Sequence, residues 1–187
     1  TAEKLASLYG GESSVMGFCM ANEQNQGPRN TSAYVWSYYY LMAERIRSGL
    51  GDNKKLVTIA WQNDTTLYDG STTVDLSDAA LSSLPSDGQS PAIDFEQAGK
   101  DLRSSLIGWD PTNTDYTAVP VEMIISTICD VWGLNIYAGM DQSLQTYQAH
   151  VFDKEFRKPL LVTEWGHSAS VNDPATAKGP PEGNAQL

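Results

Sequence analysis

The chain has 187 residues, 41% hydrophobic and 19% charged, which is enough for one domain with a real core and excludes a disordered segment. Its formal net charge of -11, from 12 Lys and Arg against 23 Asp and Glu, repels a phosphate backbone or an anionic membrane surface, and no basic cluster offsets it. No apolar stretch approaches the roughly 20 residues that span a bilayer, so a soluble protein with a neutral or cationic substrate fits and nucleic acid does not.

The opening residues Thr1-Ala2-Glu3-Lys4 carry neither signal-peptide regions nor an initiator Met, so the expectation is a chain that starts after processing or partway into a longer protein. The first strong pattern is Ser14-Val15-Met16-Gly17-Phe18-Cys19-Met20-Ala21-Asn22-Glu23, a short apolar run that stops at an acid with an amide just before it. Residues 22–30 read as a polar loop containing Gly27-Pro28. The spacing of Val35, Tyr39, Met42 and Ile46 then predicts a helix over 31–48, capped by Thr31 or Ser32, with Arg45 and Arg47 in its last turn and Gly49 at its end. Leu56-Val57-Thr58-Ile59-Ala60-Trp61 follows as a buried strand, ending at Gln62 and Asn63. Strand, helix, strand is the repeat of a parallel sheet, and the fold class is α/β.

From 64 to about 120 the pattern loosens. Asp69-Gly70-Ser71 and Ser86-Asp87-Gly88 read as turns, 77–84 as a short helix and 95–106 as a longer one. A connection of this length predicts a functional insertion above the strand ends. Pro120 suits the first position of a helix over 121–128. The next strand covers 130–137 and is stopped by Gly139, and its period of two puts Asn135 and Tyr137 on one face. A helix over about 142–152, with Leu144, Tyr147 and Val151 on one side, returns the chain to Lys158-Pro159-Leu160-Leu161-Val162-Thr163-Glu164-Trp165-Gly166. Here an apolar, β-branched strand runs straight into a carboxylate, at the end where parallel α/β folds collect their binding and catalytic side chains. Beyond it, residues 171–187 form a Pro-, Gly- and Ala-rich tail or linker to the domain at 1–170.

Cys19 and Cys129 lie in apolar surroundings and read as two unpaired core cysteines rather than a disulfide. Sequons at Asn30 and Asn63 permit secretion, and the expected location is extracellular. The two histidines, His150 and His167, have no partner at ligand spacing and no Gly-rich nucleotide loop occurs, so neither a metal nor a cofactor is expected. Gly166-His167-Ser168-Ala169-Ser170 resembles a nucleophile elbow, but Ser170 replaces the second glycine, no helical pattern follows and no His comes after Ser168.

Two acids ending different strands of one parallel barrel are what retaining glycoside hydrolysis needs. One protonates the leaving oxygen while the other attacks the anomeric carbon, across about 5 to 5.5 Å. Asn22-Glu23, Trp132-Gly133-Leu134-Asn135-Ile136-Tyr137 and Thr163-Glu164-Trp165-Gly166 resemble strands four, six and seven of the clan A glycoside hydrolases, with residues 56–61 as a matching fifth strand. The resemblance covers roughly residues 15–166. It implies a (β/α)8 TIM barrel of which about half is present, since a full barrel takes eight strands and about 250 residues. The remaining strands would come from the rest of a longer polypeptide or from other chains. It also implies a retaining hydrolase or transglycosylase acting on β-linked oligo- or polysaccharide, with Glu23 as acid/base and Glu164 as nucleophile. Asn22 would bond the sugar 2-hydroxyl and Tyr137 would orient Glu164. Trp165 and Trp61 offer rings for a pyranose face, and Asn135 and His167 complete the expected substrate contacts. Such a site is expected to raise the pKa of Glu23.

Each residue also has a structural reading. Glu23 can be a solvated or helix-start acid, Glu164 the partner of a buried cation, and Asn22 a group satisfying loop backbone. Tyr137, Trp61, Trp132 and Trp165 can be core packing. The alternative for the whole is a non-catalytic barrel that binds or builds a glycan matrix, its cleft blocked by the 64–120 insertion.

Overall fold

The computed structural model describes residues 1–22, 31–62, 70–85, 93–107, 110, 112, 115–136, 144–145, 147–149 and 158–165. Among them, four strands form one parallel sheet: β1 (Gly17–Asn22), β2 (Leu56–Gln62), β5 (Trp132–Ile136) and β6 (Leu160–Trp165), side by side in that order. A two-residue antiparallel pair, β3 (Thr73–Val74) with β4 (Val119–Pro120), stands apart. The helices are α1 (Ala2–Tyr9), α2 (Ala33–Leu50), α3 (Asp78–Ser82), α4 (Phe95–Ser105) and α5 (Val121–Ile128). The α/β class expected from the strand–helix alternation is therefore present, with each strand of the main sheet beside its sequence neighbour.

The core lies between the sheet and α2. Trp36, Tyr39, Ala43, Ile46 and Leu50 recur at three- and four-residue steps, so they form one stripe that is removed from water. That stripe meets Val57, Ile59 and Trp61, alternate residues of β2 that share one face of the sheet. Trp61 stacks at 5.5 Å from Trp36 and 6.2 Å from Tyr39, ring centre to ring centre. α5 adds Val121, Ile124, Ile125 and Ile128 to the same core, and Trp132 donates its indole N–H to Ser126 Oγ at 3.0 Å.

The helix ends follow local chemistry. Thr1, Ser77 and Asp94 cap α1, α3 and α4 by accepting the backbone N–H of Lys4, Ala80 and Gln97. The α2 expectation needs correction at both ends. Ser32 occupies the cap position without a side-chain bond, and the helix runs through Gly49 to Leu50 before Gly51 ends it at φ 54°. Gly49 has another use. A Cβ there would strike the carbonyl of Glu3, so its absence lets α1 lie directly on α2.

The stretch expected to stand over the strand ends packs differently in its described part. α4 lies on α2, with Tyr34 and Phe95 rings 4.6 Å apart and Tyr40 sharing a hydrogen bond with Ser105. Gly99 faces Ser37 and Leu81, where any side chain would collide. Arg103 binds the Leu76 carbonyl and Asp78 and lies over the Tyr116 ring, closing the segment on itself. These residues thicken the helix layer. The helix expected over 142–152 falls mostly outside the described residues, although Tyr147 lies within them and donates its hydroxyl to the Lys158 carbonyl.

At the other end of the sheet, Asp130 holds the start of β2 by accepting the Val57 N–H at 2.8 Å. Arg47 reaches from α2 to both Asp130 and the Ile128 carbonyl.

Candidate active site

Because the sheet is parallel, Asn22, Gln62, Ile136 and Trp165 all end their strands at the same edge. Facing is decided by the ladder. Register partners in a parallel pair point to one side, so Trp61 and Leu134, which are paired, both face the helices. Ala60 with Gly133, and Asn135 two residues further along β5, belong to the opposite face.

Two irregularities change which residues share that opposite face. On β1, Cys19 pairs with Thr58 and Asn22 with Ala60, so three steps of one strand match two of the other. On β6, Val162 pairs with Leu134 but Glu164 with Asn135, leaving Thr163 as an extra residue. Each is a bulge, the device by which a strand re-aims a side chain at a barrel rim or beside a site. Without the second, Glu164 would follow Leu160 and Val162 to the helix side. With it, Glu164 stands opposite Asn135, exposed at the end of β6. Likewise Asn22 joins the face of Ala60 and Asn135.

Hydrogen bonds join these residues across the sheet. Thr163 Oγ1 donates to Asn135 Oδ1 at 2.6 Å, and Asn135 Nδ2 donates to Asn22 Oδ1 at 3.0 Å. The bonds span the full width of the sheet, from β6 through β5 to β1, crossing β2, where Ala60 is the ladder partner of Asn22. Gly133 helps clear the same face, since a Cβ on it would sit 2.6 Å from the Ile59 carbonyl and 3.0 Å from Thr58 Oγ1.

The expected residues divide accordingly. Asn22, Asn135 and Glu164 come together at the C-terminal ends of the strands. Asn135 is 0% exposed, so it acts from behind Asn22 and Thr163, which corrects the expectation that it touches substrate. Trp61 is 1% exposed and faces α2, so its ring belongs to the core and not to a sugar. Trp165 closes β6 opposite Ile136, and its ring is outside the described set. Glu23, Tyr137 and His167 lie outside the described residues, although Glu23 directly follows Asn22 and Tyr137 directly follows Ile136. Thr163 is the participant that sequence reasoning missed. It reads there as one more β-branched strand residue, and its hydroxyl finds its use only in Asn135 on the neighbouring strand.

Cys19 also requires correction. It is exposed on β1, while Cys129 is buried, and both thiols are free. Among the described residues no His, Cys, Asp and Glu group could hold a metal ion, and no described helix is long and apolar enough to cross a membrane. A cavity of about 340 Å³ lined by Arg47, Lys54, Lys55 and Asp130 lies at the N-terminal end of the strands, away from this cluster. No family model, curated protein or solved structure matches the chain.

Proposed function

We propose that this chain is the strand-four-to-seven arc of a (β/α)8 retaining enzyme, a hydrolase or transglycosylase acting on β-linked glycans. The remaining barrel strands come from the rest of a longer polypeptide or from other chains. The observation that carries the reading is the meeting of the two acid-bearing segments. Asn22, the residue before Glu23, is hydrogen-bonded to Asn135, and Asn135 stands opposite Glu164 in the ladder. The sequential order of the parallel strands supports it too, because a barrel adds each strand beside the last.

In this reading Glu23 donates its proton to the departing glycosidic oxygen while Glu164 attacks the anomeric carbon. The bond to the leaving sugar breaks as the bond to the Glu164 carboxylate forms. Water or an acceptor sugar then enters, Glu23 removes its proton, and Glu164 is released. Asn22 bonds the 2-hydroxyl of the sugar held between them.

The test is Glu164→Gln in the complete protein, assayed against aryl β-glycosides and soluble β-glucans and β-mannans. Turnover should fall about a thousandfold or more with the unfolding temperature nearly unchanged. Full activity in that variant removes the nucleophile assignment. Binding of the polysaccharides by the unmodified protein with no turnover of any of them favours a glycan-binding barrel instead.

A further inference from the structure

We propose that Asn135 is a positioning residue that fixes the polarity of the Asn22 amide, so that Asn22 meets its ligand as a hydrogen-bond donor; this deepens the glycosidase reading and rests on it. A carboxamide has a donor end and an acceptor end of nearly the same size, and on an exposed residue such as Asn22 either end can face a ligand. Here the choice is made by a directed chain. Thr163 Oγ1 gives its proton to Asn135 Oδ1, which commits the other end of the Asn135 amide to donating. Asn135 Nδ2 donates to Asn22 Oδ1, and the Nδ2 end of Asn22 is the one directed away from Asn135.

Burial makes the arrangement hard to reverse. Asn135 is fully removed from solvent, so turning its amide over would set two acceptors against each other at Asn22 and two donors at Thr163 unless both partners turned as well. Thr163 follows Leu161 onto the face of Asn135 by plain alternation and supplies the first hydroxyl, while the bulge beside it brings Glu164 opposite Asn135 as well. Adjacent residues of β6 thus present the acid and set the polarity of the Asn22 amide. The ligand group that matches is an acceptor oxygen on the sugar, in this reading the 2-hydroxyl.

Two variants test this in the complete protein, with 2,4-dinitrophenyl β-glucoside and its 2-deoxy counterpart as probes. Asn135→Asp offers only acceptors and forces the Asn22 amide to turn. Thr163→Val removes the first donor at constant shape and serves where a buried carboxylate unfolds the sheet, with Thr163→Ser as the control that keeps the hydroxyl. The expected result is a fall of about a hundredfold in kcat/KM on the 2-hydroxy probe in Asn135→Asp and about tenfold in Thr163→Val. The 2-deoxy probe should change by less than about threefold, and Thr163→Ser should behave as the unmodified protein. Equal losses on both probes overturn the proposal. Side-chain amide resonances give a readout that needs no turnover. The Asn22 NH2 pair should shift in Thr163→Val and stay in place in Thr163→Ser, and an unmoved pair overturns the positioning role. A shift in a protein that turns over neither probe retains the amide orientation, rejects Asn22 as a glycosidase contact, and so sinks the enzymatic reading alone.

Discussion

The two cysteines show what burial does to one functional group. Cys129 sits wholly within the core, where loss of hydration penalises the thiolate and pushes its pKa up to about 12. Cys19, on the edge strand, is exposed. A thiol reagent at pH 8 should therefore consume one equivalent quickly and a second only after denaturation. The same shift links stability to pH. The unfolded thiol ionises near 9 and the folded one near 12, so the stabilisation is complete below about pH 9 and is lost progressively as pH rises through that interval. Its full size is up to about 4 kcal/mol. Chemical denaturation of the unmodified protein and of Cys129→Ala, both reduced, should show their stability difference moving toward the variant between pH 8 and pH 11. Parallel pH curves for the two proteins would refute the assignment. The sequence reading of a free core thiol holds for Cys129 and fails for Cys19. Both cysteines sit in apolar runs, and Cys19 differs in lying on a strand that is an edge among the described residues, on the face turned from the helices.

Whole elements were easier to read than their joints. The helical stripe of α2 and the buried run of β2 announce themselves by period, and they and α4 form close to the expected bounds. α1 gives no such signal, because Leu5, Leu8 and Tyr9 on it are exposed and mainly Ala6 is buried. The bulges are invisible as well, since reading a strand by strict alternation assumes that no residue is skipped. Glycines are where the fit between elements is tightest. Ala in place of Gly49 ordinarily gains up to about 1 kcal/mol in a helix, but here its Cβ would meet the Glu3 carbonyl, so Gly49→Ala should destabilise the protein and loosen α1. Gly133→Ala should cost about 2 kcal/mol or more, because the colliding atom is the Ile59 backbone and β5 cannot back away without breaking its ladder to β2. Thermal unfolding checks both, and a stabilised Gly49→Ala would contradict the packing of α1.

For the molecule as a whole, the segments expected to carry chemistry, and expected through the resemblance to converge, could not be joined by any local pattern. Asn22 and Asn135 owe their contact to four strands lying in one order, which is a property of topology and not of any local pattern. The same topology leaves β1 and β6 as unpaired edges among the described residues, with Leu5, Leu8 and Tyr9 exposed on α1 and Met16 just before β1. Open parallel edges beside exposed apolar side chains favour association. The isolated 187-residue chain is expected to self-associate as its concentration rises, and Leu8→Lys with Met16→Lys to reduce this, as read by light scattering. A chain that stays monomeric at millimolar concentration would argue against exposed edges.

Strands that neighbour one another in sequence can also pair as a ribosome delivers them, since each new arrival finds its partner already in place and closes only a modest loop. The β1–β2 pair can form before β5 is made, and β6, which brings Thr163 and Glu164, comes last of the four. Half-synthesised chains would thus hold the Asn22 amide without the Thr163 end of its relay, and the glycan chemistry proposed for this protein would have to wait at least until β6 docks.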